Sequence, residues 1–363
     1  MSGCVVKGSK ASKGVTLVEL MIALALSSFL AIGVMQIYLD SRQTDDMGSG
    51  LARIQETGRV ALDIMAKDLR AMGYIGCLDP KTLPDDGVRI IAKNAPLDDI
   101  TTNGLRGLEV EAGWATGTEF SVEEIENNAR SNSGVLAIQR VTPESVSVLK
   151  GLPSPSSIPL ESNDLDIVEN DLVLVASCTQ GHLFRVSAVN ASNGGVSLEH
   201  SDDDNNNTDE FPDYSSVDQK GVVTVMKFMS VAYFVADTGR KNTAGASVFA
   251  LYRQKDNFAG DDAPSFVIEE MVEGVETMQI LYGERLANDS VRFVPANTAG
   301  LDMRSVESVR IGILVSSTQN VQQANDSQSY LLPGGVVLPA PSDGLTHPVD
   351  RRIRRAFSTT VYL

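Results

Sequence analysis

The residues able to do chemistry stand in separate places along the chain. Glu19 is alone inside an apolar run. Glu269, Glu270, Glu273 and Glu276 are paired carboxylates, the residue type that general acid–base work needs. Asp202, Asp204, Asn206 and Thr208 alternate as the oxygen ligands of a calcium loop do, with Glu210 and Asp213 beyond them. Arg351, Arg352, Arg354 and Arg355 form a basic cluster. The last three groups each have a plain reading. The glutamates lie along one predicted helix or strand edge and read as a solvated face. The acidic loop has Asn207 where a calcium turn takes glycine, and Asp213 where the bidentate glutamate belongs. No flanking helices are evident. It reads as a flexible acidic loop, with calcium at Asp202, Asp204 and Asn206 as the weaker alternative. The arginines read as surface residues flanking the last strand, or as a contact for an acidic partner.

Composition and motifs exclude several function classes. There is no GxSxG, P-loop, GxGxxG or HExxH. Three unlinked histidines supply neither a triad nor a His-rich metal centre, and three cysteines include no C-x-x-C pair for zinc. The reading is therefore of a protein that is not an enzyme and holds no cofactor. A formal net charge of −17 argues against nucleic acid as partner, because a phosphate backbone selects positive faces. One tryptophan and 6% aromatic residues make a poor carbohydrate platform. At 363 residues and 42% hydrophobic, the chain is ordinary globular material for two or three domains.

The element that must position Glu19 is a helix. Val15 to Leu39 is an apolar run whose strongly polar members are only Glu19 and Gln36. As a helix it would be about 37 Å long, enough for a hydrocarbon core of about 30 Å. Lys7, Lys10 and Lys13 precede it without an acid, so the N-terminus stays cytoplasmic and the rest is exported. No small-residue cleavage site follows the run, which reads as a retained inner-membrane helix with a periplasmic body. A carboxylate this far into a membrane helix costs about 2.5–3.5 kcal/mol. Glu19 either snorkels to the interface or needs a cationic partner within the apolar layer.

The helical pattern continues past the membrane. Leu51, Ile54, Gly58, Ala61, Met65, Leu69 and Met72 recur at three- and four-residue spacing. Asp63 and Lys67 pair on the polar side, and Gly73 is a stop. One helix from Thr16 to Met72 would span roughly 85 Å. Gly33, Gly48 and Gly50 weaken it by about 1 kcal/mol each and mark where it would bend or melt.

Beyond Cys77 the chain is loop-rich to about Asn132. Strand-like runs follow at Val135–Val141, Leu172–Ser177 and Leu183–Val189. Others lie at Val222–Val235, Ser247–Arg253, Phe266–Tyr282, Val306–Ser316 and Phe357–Leu363. Residues 151–162 are a Pro/Ser-rich loop, and 201–210 are too polar to bury a core. With few helix-length connectors, the sheet should be antiparallel. Alternation of Val309, Ile311, Ile313 and Val315 is what a half-buried strand requires.

These residues carry a resemblance. Lys13-Gly14 followed by Val15-Thr16-Leu17-Val18-Glu19-Leu20-Met21 resembles the class III signal of type IV pilins and pseudopilins. Met271 to Gly283, Ser308 to Val315, Arg355 to Leu363 and Asp68 to Cys77 resemble the PilW family of minor pilins, and more loosely the J-type pseudopilins of type II secretion. The resemblance covers 14–77 and about 220–363; it does not reach 78–219. It implies an α+β fold, a long N-terminal helix packed on an antiparallel sheet. It implies cleavage by prepilin peptidase after Gly14 and N-methylation of Val15, where the family usually has Phe. Glu19 would pair with the terminal amine of a neighbouring subunit, the cation the electrostatics demand. The implied partners are other minor pilins, the major pilin and a tip adhesin. The implied roles are pilus priming, adhesion and twitching motility, from the inner membrane and then the filament tip. Some pseudopilins at the extreme tip lack the glutamate, so Glu19 implies a place below another subunit.

The expected organisation is a leader over 1–14 and a filament-core helix over 15–39. An amphipathic helix over 40–77, a variable insert over 78–219 and a β region over 220–363 follow. Cleavage would remove three of 30 basic residues and none of 47 acidic ones, leaving a net charge of −20. Cys4 would go with the leader. Cys77 and Cys178, an even pair in an oxidising compartment, are then expected as a disulfide, with two buried thiols as the alternative. Some pseudopilins bind calcium, which keeps that alternative open for 201–210. A J-type pseudopilin, or a membrane-anchored periplasmic binding protein or enzyme using 78–219, are the competing readings.

Overall fold

The computed structural model describes residues 14–78, 88–93, 104–110, 125, 128–149, 157–192, 195–206, 223–257, 265–342 and 344–363. The chain divides into two units, Met1–Gly50 and Leu51–Leu363. One helix, α1, runs Leu17–Arg70 and contributes to both. No proline precedes Pro80, and the helix runs unbroken through Gly33, Gly48 and Gly50. In the first unit its apolar side chains from Val15 to Leu39 are exposed. The hydroxyls of Ser27, Ser28 and Thr44 donate to the carbonyls of Ala23, Leu24 and Asp40. A helix meant for lipid thus satisfies its own polar groups.

In the second unit α1 turns Ile54, Gly58, Ala61, Leu62, Met65, Ala66 and Leu69 inward. A turn follows Arg70, with Gly73 at φ +67°, as the stop signal predicts. The first strands are β1 (Val88–Ile90), β2 (Leu105–Val110), β3 (Ser133–Val141), β4 (Val146–Ser147) and β5 (Ser157–Leu160). Next come β6 (Leu172–Ala176), β7 (Gly181–Arg185), β8 (Ala188–Ser192), β9 (Gly195–Glu199) and β10 (Thr224–Lys241). The region from β11 onward comprises β11 (Ser247–Asn257), β12 (Ser265–Glu273), β13 (Val275–Arg285), β14 (Val291–Val294) and β15 (Val306–Ser316). A hairpin lobe of β16 (Tyr330–Leu332), β17 (Gly335–Pro339) and β18 (Thr346–His347) precedes β19 (Arg354–Tyr362).

Among the described residues, nine strands form the largest sheet, ordered β1-β7-β6-β10-β11-β12, with β2, β3 and β4 joined to it beside β10. A second sheet runs β14-β13-β15-β19. Pairing is antiparallel except β1 with β7 and β17 with β18. The 18-residue strand β10 ties the large sheet together. Thr224 to Lys227 pair with β6, and the rest with β3 and β11. Strands from 78–219 and from 220–363 therefore share one hydrogen-bonded sheet.

The run expected over Phe266–Tyr282 is two strands. Gly274 breaks it at φ +93°, where a Cβ would sit 2.8 Å from the Ser316 carbonyl oxygen. There the chain leaves the large sheet as β12 and enters the second as β13. The run at Leu183–Val189 likewise splits into β7 and β8. The main core joins the inner stripe of α1 to both sheets through Leu136, Ile138, Tyr233, Leu251, Met278, Ile280, Ile311 and Ile313.

Candidate assembly site

The helix carrying Glu19 begins with a reciprocal cap. The Thr16 backbone N–H and hydroxyl each donate to Glu19 Oε2 at 2.9 Å, and the Glu19 N–H donates to the Thr16 hydroxyl at 3.2 Å. Thr-x-x-Glu is the capping-box pattern, which satisfies otherwise orphaned amides of the first turn. The carboxylate also sits where the helix dipole favours negative charge. Among the described residues no cation is paired with it. Val15 and Gly14 are exposed ahead of the helix; residues 1–13 lie outside the described residues. An 18-residue window of α1 has mean hydropathy 2.3, long and apolar enough to cross a membrane. The chain is anchored by this helix and carries its β body C-terminal to it.

The glutamates and arginines of the C-terminal region correct the plain reading of both. Glu276, Arg352 and Arg354 are not solvated; all three are buried. Arg354 Nε and Arg352 Nη2 lie 2.9 and 3.1 Å from the Glu276 carboxylate. Arg354 Nη1 reaches Asp326 at 3.1 Å, Arg352 Nε reaches Asp350 at 2.6 Å, and Arg354 Nη2 reaches Asp350 at 2.9 Å. Arg130 donates to the Glu276 carbonyl and stacks 4.2 Å over Phe249. Burial pushes the Glu276 carboxyl up, but Arg354 and Arg352 reverse this and hold it at about 2. Arg354 lies 78 residues from Glu276 and 28 from Asp326 in sequence, so spacing could not reveal these contacts. Glu269, Glu270 and Glu273 do form a partly exposed ion-paired face, with Arg253, Lys255, Arg240 and Arg53. Arg351 and Arg355 are exposed.

Cys77 and Cys178 are joined in a disulfide, Cα atoms 5.0 Å apart. It ties the turn after α1 to the β6–β7 turn. At the acidic loop, Asn207, Thr208, Glu210 and Asp213 lie outside the described residues. Of the rest, the Asp202 and Asp203 carbonyls accept from the Lys93 ammonium, and Asp204 Oδ2 accepts from Ser201 at 3.0 Å. Asn206 is exposed. Among the described residues no three His, Cys, Asp or Glu side chains converge as metal ligands.

Sequence reasoning missed Asp68. It is buried on the inner face of α1, where Arg140 Nη2 donates to Oδ1 at 3.2 Å and the Tyr233 hydroxyl donates to Oδ2 at 2.6 Å. Burial and the neighbouring Asp68 raise the Tyr233 hydroxyl above its ordinary range. The available signal was spacing: Asp68 is three places after Met65, on the apolar stripe.

A capped apolar anchor helix continuing into a β body defines a pilin-like subunit, and the prokaryotic N-terminal methylation motif matches residues 9–35. The family model described as type IV pilus-assembly protein W matches residues 232–363. Over these two segments the chain is similar to the PilW family of type IV minor pilins, which are structural pilus components. No curated protein and no solved structure matches it.

Proposed function

We propose that this chain is a minor pilin that primes pilus assembly as part of a tip complex. Prepilin peptidase cuts after Gly14, and Val15 becomes the methylated terminus. Glu19 then pairs with the terminal amine of a neighbouring subunit as the apolar helices bundle. Other minor pilins and the major pilin are its assembly partners, and a tip adhesin is its cargo. Residues 78–219 supply the variable surface of this body, and the glutamate places the subunit below another at the tip.

The single observation that carries this reading is the state of Glu19. Its carboxylate lies on an exposed apolar helix and is held only by Thr16 among the described residues. In lipid or in a helix bundle such a charge is costly until a cation meets it. A freed N-terminal amine is a cation of the right reach, and a neighbouring helix delivers it into the same apolar layer.

The test is an intact mass and N-terminal sequence of the membrane-extracted chain, with and without prepilin peptidase. A product beginning at N-methyl-Val15 only when peptidase is present is the expected result. A chain that keeps residues 1–14 in both conditions would leave an ordinary signal anchor and end the filament reading.

A further inference from the structure

We infer that Asp68 is a positioning residue whose buried carboxylate, gripped by Arg140 and Tyr233, locks α1 in one axial register on the β body. The rest of the inward stripe is poorly suited to that task. Ile54, Ala61, Leu62, Met65, Ala66 and Leu69 are apolar, and several are small or flexible. Because the stripe repeats every three or four residues, sliding by one turn would keep an apolar face inward. Packing alone therefore discriminates weakly between neighbouring registers.

Asp68 removes that degeneracy. A shift of four places would set Ile64 or Met72 opposite Arg140 and Tyr233. The guanidinium and phenol would lose their acceptor, and the carboxylate would lie against groups that offer it no proton. A buried charge without its partner is the costly state, and fixing register is the best-attested use of a buried polar group. Gly58 adds a second pin on the same face. The Phe357 ring lies within 2.6–2.8 Å of where a Gly58 Cβ would stand. A one-turn slide would bring Ile54 or Leu62 under that ring. Asp68 and Gly58 are thus ten residues apart and favour the same register for different reasons.

The test uses the full processed chain in detergent micelles, with methyl-labelled methionine. Met65 lies in the core and Met72 packs against it, so their methyl resonances, assigned by Met→Leu variants, report helix register. The wild type and Asp68→Asn, which keeps the shape and the phenol hydrogen bond, should give one resonance per methyl. Asp68→Leu strands the Arg140 guanidinium and should melt lower than Asp68→Asn, and it should give doubled or displaced Met65 and Met72 resonances. If Asp68→Leu does not fold, Asp68→Leu/Arg140→Leu, which also removes the orphaned guanidinium, is read in its place with the same expectation. Single, undisplaced resonances in the folded leucine variant overturn the inference, as does doubling in Asp68→Asn. The readout comes from the isolated subunit, so it stands whether or not the tip-complex reading does.

Discussion

Glu19 and Glu276 are both carboxylates set among apolar residues, one in the anchor helix and one in the β body. They differ in where their counter-charge comes from. Glu276 is buried and meets Arg352 and Arg354 of its own chain. Glu19 is exposed and, among the described residues, meets only the hydroxyl and amide of Thr16. The Glu276 carboxylate is thus neutralised within its own chain, and Glu19, among the described residues, is not. Incompleteness in a single subunit, at a position bound for a low-dielectric layer, is a physical mark of a group that awaits another molecule.

Breaking the incomplete side should have the largest effect. Glu19→Ala should leave peptidase cleavage intact and reduce incorporation into filaments at least tenfold, read by quantifying the subunit in sheared pili against the membrane pool. Normal incorporation would mean that Glu19 is an interfacial carboxylate and nothing more. The capping box alone predicts only a loss of about 1 kcal/mol at the helix start, far too little for an assembly defect.

Breaking the complete side should damage folding. Glu276→Gln leaves two buried guanidinium groups short of one negative charge, a loss of about 3–5 kcal/mol by analogy with other broken buried pairs. Chemical denaturation of the purified chain measures it. The disulfide should rank close behind. It closes a sequence separation of 101 residues, and removing it through Cys77→Ser/Cys178→Ser should cost about 2–5 kcal/mol.

Acid probes the same cluster without mutation. Glu276 is held at about 2, below its ordinary 4.5. A lowered carboxyl contributes stability that is fully present above 4.5 and is lost as pH falls from there through about 2. At about 1.4 kcal/mol per unit this contribution is on the order of 3 kcal/mol. The wild type should therefore lose more stability between pH 5 and pH 2 than Glu276→Gln does. Equal pH slopes would show that the cluster does not hold the glutamate ionised.

Much of this was legible in advance, and the reasons are local. The apolar run, Glu19 at its start and the stripe from Leu51 to Met72 are short-range patterns, and α1 spans both regions they mark. The apolar alternation marks Val306–Ser316 as a strand, but it is buried on both faces and not half-buried, because Leu332 and Val337 cover Leu314 on its other side. What stayed hidden depends on distant chain segments. Nothing near Glu276 announces that Arg354, 78 residues on, will neutralise it. Arg352 and Arg354 read as surface because charge usually is. Asp68 was visible as a polar residue on an apolar face, but its partners lie 72 and 165 residues away. The break at Gly274 was masked by a continuous run of strand-forming neighbours.

Glu273 sharpens the contrast at the smallest scale. It is three residues from Glu276, carries the same charge and also faces arginines, Arg53 at 3.4 Å and Arg240 at 3.0 Å. Its side chain, however, keeps about a third of its exposure, and Arg53 is mostly in water. Solvent screens such pairs, and their worth falls to between zero and about 1 kcal/mol. Glu273→Gln should therefore shift stability by less than about 1 kcal/mol, and raising the salt concentration should shrink even that. The same substitution at Glu276 should be several times more costly and nearly salt-independent. If the two variants cost the same, burial is not what separates them, and the division between Glu276 and Glu19 loses its physical basis.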